Sequence, residues 1–161
     1  DFAEVPPPKF FRMKPGGEVR LMGAYLVRCT SVDRNPDGTV DKIHCTCDIE
    51  TGNGMPADGH KVKGTIHWLS ADHAVDINVM LFEHLFTIEN VADIPEGKGF
   101  DDYLNTDSVT RIEHCKAEPS LADAAPGDRF QFVRTGYFIK DTKYENTFNR
   151  IVGLKDSYPK N

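Results

Sequence analysis

Six side chains able to ligate a metal fall within about thirty positions: His44, Cys45, Cys47, His60, His67 and His73. Zinc needs four converging donors, usually supplied by knuckles of CxxC or HxxxH spacing. Cys45 and Cys47 are two apart, so on a strand they share a face, but no second pair has knuckle spacing. The plainer account is small apolar thiols in a sheet. Ser70, Asp72, His73 and His67 are of the types that make a nucleophile, an orienting carboxylate and a base. No GxSxG elbow surrounds the serine. Ser70 is also a good helix N-cap, and Asp72 is too near in sequence to act as an independent orienter. Asp101-Asp102 reads as solvated loop charge, and no Gly-rich phosphate loop runs into Lys-Ser or Lys-Thr.

A third chemistry is suggested by cations interleaved with rings. Lys9, Phe10, Phe11, Arg12 and Lys14 alternate along an exposed arm, and Arg20 and Arg28 share the polar face of the next strand. Gln131 and Arg134 flank Phe132 on a later strand. Unpaired RNA bases are read by stacking on rings or guanidinium planes and by hydrogen bonds to their edges. The competing account is a solvated sheet face.

These side chains are positioned by a strand-rich chain. Pro6-Pro-Pro8 makes residues 1–8 an extended arm. From Glu18 the pattern has period two, with Val19, Leu21, Tyr25, Val27 and Cys29 on one face and Gly23 at a bend. Asn35-Pro-Asp-Gly38 is a turn, and Val40–Ile49 returns as a second strand, so 18–49 is expected to be a long hairpin. A polar loop follows. Lys61–Trp68 reads as a strand ending in a buried tryptophan and a half-turn capped by Ser70, the corner around which the sheets pack. Further strands are expected over 75–86, 108–117, 129–140 and 147–154, with helical turns near 100–104 and 119–124 and a frayed tail over 155–161. The fold class is therefore all-β and barrel-like.

Composition narrows the options. The chain has 161 residues and a net charge of −6, so any nucleic-acid surface must be a local patch on an acidic body. No run of 18 apolar residues exists. The four cysteines, without CxxC spacing or a secretory pattern, read as reduced thiols of a cytoplasmic protein. The opening Asp1-Phe-Ala-Glu, with no initiator methionine, reads as an internal start.

The stretch Pro56-Ala-Asp-Gly-His-Lys-Val-Lys-Gly-Thr-Ile-His-Trp-Leu-Ser-Ala-Asp-His-Ala74 resembles a signature of the anticodon-binding region of the glutaminyl-tRNA synthetases. Gly17-Glu-Val-Arg-Leu21 with Ala24-Tyr25 resembles that region's opening strand. Ala117–Leu121, Phe130-Gln-Phe132, Arg134, Gly136-Tyr-Phe138, Phe148-Asn-Arg150 and Val152-Gly-Leu154 resemble its closing strands. The likeness covers residues 9–158. The related glutamyl enzymes share the fold, and their anticodon-binding region is the alternative within the same class. A stand-alone histidine- or zinc-site enzyme is the alternative outside it.

The resemblance implies two β-barrels of the ribosomal-protein-like type. Residues 9–100 would be the distal barrel, residues 101–161 the C-terminal half of the proximal one, and residues 1–8 an arm from upstream chain. It implies tRNA specific for glutamine as partner, opened so that three bases enter separate pockets. By position, Arg12 falls on a contact to the third base and Arg20 on one near the first. Gln131 and Arg134 fall on the middle-base pocket. Met22 stands where the family has a second arginine, Phe11 where it has a lysine and Lys9 where it has a glutamine; Lys9 and Phe11 are carried as anticodon-binding candidates. No cofactor is expected within these residues. ATP and magnesium are implied for a catalytic domain elsewhere in a ligase expected to be monomeric, and self-pairing through half-barrel edges is expected of this chain alone.

Overall fold

The computed structural model describes residues 1–154, and the tail expected to fray lies outside them. Two compact units result, Asp1–Trp68 and Leu69–Asn161. The sequence reading placed its division at residue 100; in the structure the segment from Val75 already belongs to the second unit.

In the first unit β1 (Glu18–Leu21), β2 (Leu26–Arg34), β3 (Val40–Asp48) and the two-residue β4 (Thr65–Ile66) form a sheet in the order β3-β2-β1-β4. The expected single bent strand is instead a hairpin. Gly23 takes φ +69°, a conformation glycine adopts without a Cβ penalty. The turn it makes puts Val19 opposite Val27. That pairing keeps Val19, Val27 and Cys29 on the inner face, where they pack with Met13 and Ile66, while Tyr25 is exposed. The second hairpin, β2–β3, closes at Asn35–Gly38 as its turn residues dictate.

The tryptophan corner departs from expectation. Residues 61–64 are not strand, and only Thr65–Ile66 pairs, in parallel, with Arg20–Leu21. Trp68 is 41% exposed and donates its indole N–H to the Met22 carbonyl at 3.1 Å. A ring with one polar edge held this way needs no deep burial. Ser70 caps no helix; its hydroxyl pairs with His73 Nδ1 at 2.8 Å within a turn.

The second unit holds β5 (Val75–Phe82), β6 (Val109–Ala117), β7 (Arg129–Phe132), β8 (Gly136–Lys140) and β9 (Thr147–Gly153) in the order β6-β5-β9-β8-β7. Ile77 and Val79 face inward as their alternation requires. They pack with Phe138 and Phe148, which are almost fully buried. Phe132 stacks on Phe138 with centroids 4.3 Å apart, and Phe130 meets Phe148 edge-on at 5.7 Å. The expected strand over 129–140 is a hairpin, because the chain reverses at Val133–Thr135. The 3-10 turns at Phe100–Tyr103 and Pro119–Leu121 fall where short helical turns were expected. Among the described residues there is no α-helix, in keeping with an all-β chain, and no helix long and apolar enough to cross a membrane.

Candidate nucleic-acid interface

The cation–ring arm is folded back rather than extended. Ala3 N–H donates to the Met13 carbonyl at 3.1 Å and Met13 N–H to that of Asp1 at 3.0 Å. Between them the prolines end in a turn, with Lys9 at φ +65° and Phe10 N–H donating to the Pro7 carbonyl. Met13, buried in the unit's core, anchors the return. The arm thus borders an open cavity of about 470 Å³ lined by residues 6–12 together with Lys14, Gly17, Glu18, Lys63 and Gly64.

One glycine decides that closure. A Cβ on Gly64 would lie 2.2 Å from the Phe11 carbonyl oxygen and 3.1 Å from Val19 Cγ1. Only a residue without a side chain lets the approach to β4 pass beneath the arm. That contact sets Lys63 beside Phe11, with its ammonium 5.8 Å from the ring centroid. Phe11 remains half exposed.

Four cations therefore surround the cavity: Lys9, Arg12, Lys14 and Lys63. Arg12 is paired with Asp1 at 2.7 Å, both side chains being well exposed. Pairs of that kind contribute little and exchange readily. The one carboxylate of the lining, Glu18, is engaged by His60 Nε2 at 2.5 Å and by Arg28 at 3.3 Å. His60 Nδ1 meets Asp58 at 2.6 Å. The hydrogen bond to Glu18, then that to Asp58, raises His60 above the ordinary imidazole value, and His60 lowers Asp58.

Arg20 lies outside the lining. Its guanidinium donates to the carbonyls of Gly52 at 3.2 Å and Gly54 at 2.6 Å, so it braces the turn after β3. Asp48 braces the same turn by accepting from the Thr51 hydroxyl and the Glu50 and Thr51 amides, which holds its carboxyl below the usual range. The first unit thus brings Lys9, Phe11 and Arg12 together and sets Arg20 at a separate post.

In the second unit Gln131 stands on the exposed face of β7, directly across from Tyr137, which is 44% exposed and pairs onward with Val152. Arg134 is not on the strand. It occupies the β7–β8 turn at φ +65°, closed by Thr135 N–H on the Phe132 carbonyl at 2.8 Å. Strand alternation and a turn thus place Gln131 and Arg134 three residues apart at one end of a hairpin.

Two residues escaped the sequence reading. Lys63 lies in residues 61–64, the part of the expected Lys61–Trp68 strand that does not pair. Tyr137 lies in the strand expected over 129–140, and its alternation with buried Phe138 marks it as outward-facing. The histidines disperse: His44 pairs with Asp33, His60 with Asp58 and Glu18, His73 with Ser70. Among the described residues no three His, Cys, Asp or Glu side chains converge as a metal-holding group.

Two family models match the chain, over residues 1–48 and 65–141, both described as the anticodon-binding domain of class I tRNA synthetases of the E and Q type. A glutamine–tRNA ligase of Rhodopirellula baltica is 47% identical over 163 residues, covering 99% of this chain and 27% of the relative. One from Pseudomonas aeruginosa (strain LESB58) is 44% identical, covering 98% of the chain and 29% of the relative. One from Xanthomonas axonopodis pv. citri is 45% identical, covering 99% and 28%. The chain thus spans less than a third of the length of these relatives.

Proposed function

The chain belongs to the anticodon-binding domains of the class I tRNA synthetases of the glutamate and glutamine type, and from that premise we propose that it reads the anticodon of a glutamine-specific tRNA. The observation that carries the proposal is the cavity in which Lys9, Phe11 and Arg12 converge. An anionic strand offers counter-charge to Lys9, which forms no ion pair among the described residues. Phe11 offers a face to a splayed base, and Arg12 offers a planar fork of donors to a base edge on leaving Asp1. Gln131 presents both a donor and an acceptor to a second base, with Arg134 beside it on the hairpin end. Arg20 acts near the first base through the turn it braces.

We propose further that glutamine is joined to its tRNA, with ATP, by a longer cytoplasmic ligase in which these residues do the reading. The residues here do not fit ATP or magnesium. Among the described residues no acidic or histidine triplet converges, and the sequence has no phosphate loop, so no catalytic step is assigned to this chain.

Titration with an anticodon stem-loop RNA, and with variants changed at single anticodon positions, tests the proposal. Cognate RNA should bind best, with each wrong base costing about 1–3 kcal/mol. Equal affinity across the panel would refute it.

A further inference from the structure

We propose that Lys63 and Lys14 bind the phosphodiester backbone of the RNA at the first unit's cavity. The inference rests on the anticodon-reading function and deepens it. It separates residues that neutralise the strand from residues that read it.

The argument begins with charge. Acids outnumber Lys and Arg by 25 to 19 in this chain, and several exposed cations find a carboxylate. Arg28, Arg34, Lys98, Arg111, Lys116 and Arg150 each do. Among the described residues Lys9, Lys14 and Lys63 form no ion pair, as is also true of Lys42, Lys61 and Arg129, but these three lysines line one cavity. Its single carboxylate is already shared by His60 and Arg28. A phosphate from outside the protein would find these ammonium groups without a competing carboxylate.

The chemistry of the ammonium selects the ligand. A lysine is a compact point charge with no planar fork, suited to a phosphate and indifferent to which base carries it. Lys63 is also held in place. The Gly64 contact fixes its backbone against the arm, and the Phe11 ring holds its ammonium at 5.8 Å. Lys14 is set by the turn in which Gly17 N–H donates to its carbonyl at 2.9 Å. A cavity of about 470 Å³ lies within the size range of small-ligand pockets. A base stacked on Phe11 would carry its own phosphate toward these two ammonium groups.

The test is fluorescence anisotropy of the 161-residue chain with a labelled anticodon stem-loop RNA between 50 and 200 mM KCl. Each backbone contact removed from a single strand should reduce the slope of log K against log salt by about 0.7. Lys63→Gln and Lys14→Gln should each lose that increment and leave the ranking of anticodon variants unchanged. Lys63→Met, which keeps the aliphatic stem against Phe11, should lose the same increment, whereas Arg12→Gln should alter the ranking. Wild-type slope in both lysine variants, or a changed ranking in either, overturns the assignment. A wild-type chain that ranks all anticodons equally overturns the reading function itself, a result distinct from either.

Discussion

The two units present their proposed readers in opposite ways. In the first, Lys9, Phe11 and Arg12 line a recess that exists because an arm folds back over Gly64. In the second, Gln131 and Arg134 stand on the outside of a hairpin whose inner face is an aromatic core. The recess depends on one close backbone approach. The hairpin depends on strand register and on Phe132, Phe138 and Phe148 holding it. Damage should therefore spread differently: backbone fit governs the first site, and side-chain volume the second.

The largest expected effect sharpens that contrast. Phe148→Ala removes a ring with no exposed surface that touches Phe130 and Phe132. Truncations of this kind cost about 3–5 kcal/mol, which urea denaturation would register. A loss below 1 kcal/mol would show that the aromatic core does not hold the hairpin. Next comes Gly64→Val. Its Cβ must displace the Phe11 carbonyl, so the arm should lift at a cost of about 1–3 kcal/mol and RNA affinity should fall with it. Unaltered RNA affinity would mean that the recess is not the binding site.

Smaller, and confined to one base, is the effect of Gln131→Ala. Stability should be near wild type, because the side chain is exposed. Discrimination at the middle anticodon position should shrink by about 1–3 kcal/mol while the salt slope stays fixed. A change at every position alike would place Gln131 on the backbone instead. The smallest effect concerns pH. His60 titrates above its ordinary value of 6.5, so the stability it adds through Glu18 is complete below that value and is lost as pH rises through the raised one. Asp58 titrates below 3.8, so its share is present above that value and is lost as pH falls through the lowered one. The clamp is thus strongest between the two. An NMR titration placing His60 at or below 6.5 would contradict it.

What the sequence revealed tracks the range of the forces involved. Strands were expected where β2, β3, β5, β6 and β9 form, on alternation from Glu18 and on β-branched residues over 75–86, and Asn35-Pro-Asp-Gly38 located a hairpin turn, because these signals are local. The breaks inside 18–30 and 129–140 were missed. Gly23 was read as a bend rather than a reversal, and Val133–Thr135 reverses the chain without a glycine or proline. Trp68 was expected to be buried at a strand end; its indole N–H instead bonds the Met22 carbonyl while the ring stays partly exposed. Of the site, the arm's cations and rings were visible as a string of residue types. That they border one recess was not, because the fold-back depends on Gly64 meeting Phe11 some fifty residues away. The same holds for Arg20, whose partners at Gly52 and Gly54 are set by tertiary folding.

The central claim is that both residue sets touch the anticodon of one RNA. Backbone-amide NMR of the chain, titrated with an unlabelled anticodon stem-loop, tests it directly. One equivalent of RNA should shift signals around Lys9–Arg12 and Lys63 together with those around Gln131–Arg134 and Tyr137, along a single saturation curve. Shifts limited to one unit, or two curves with different midpoints, would contradict the account.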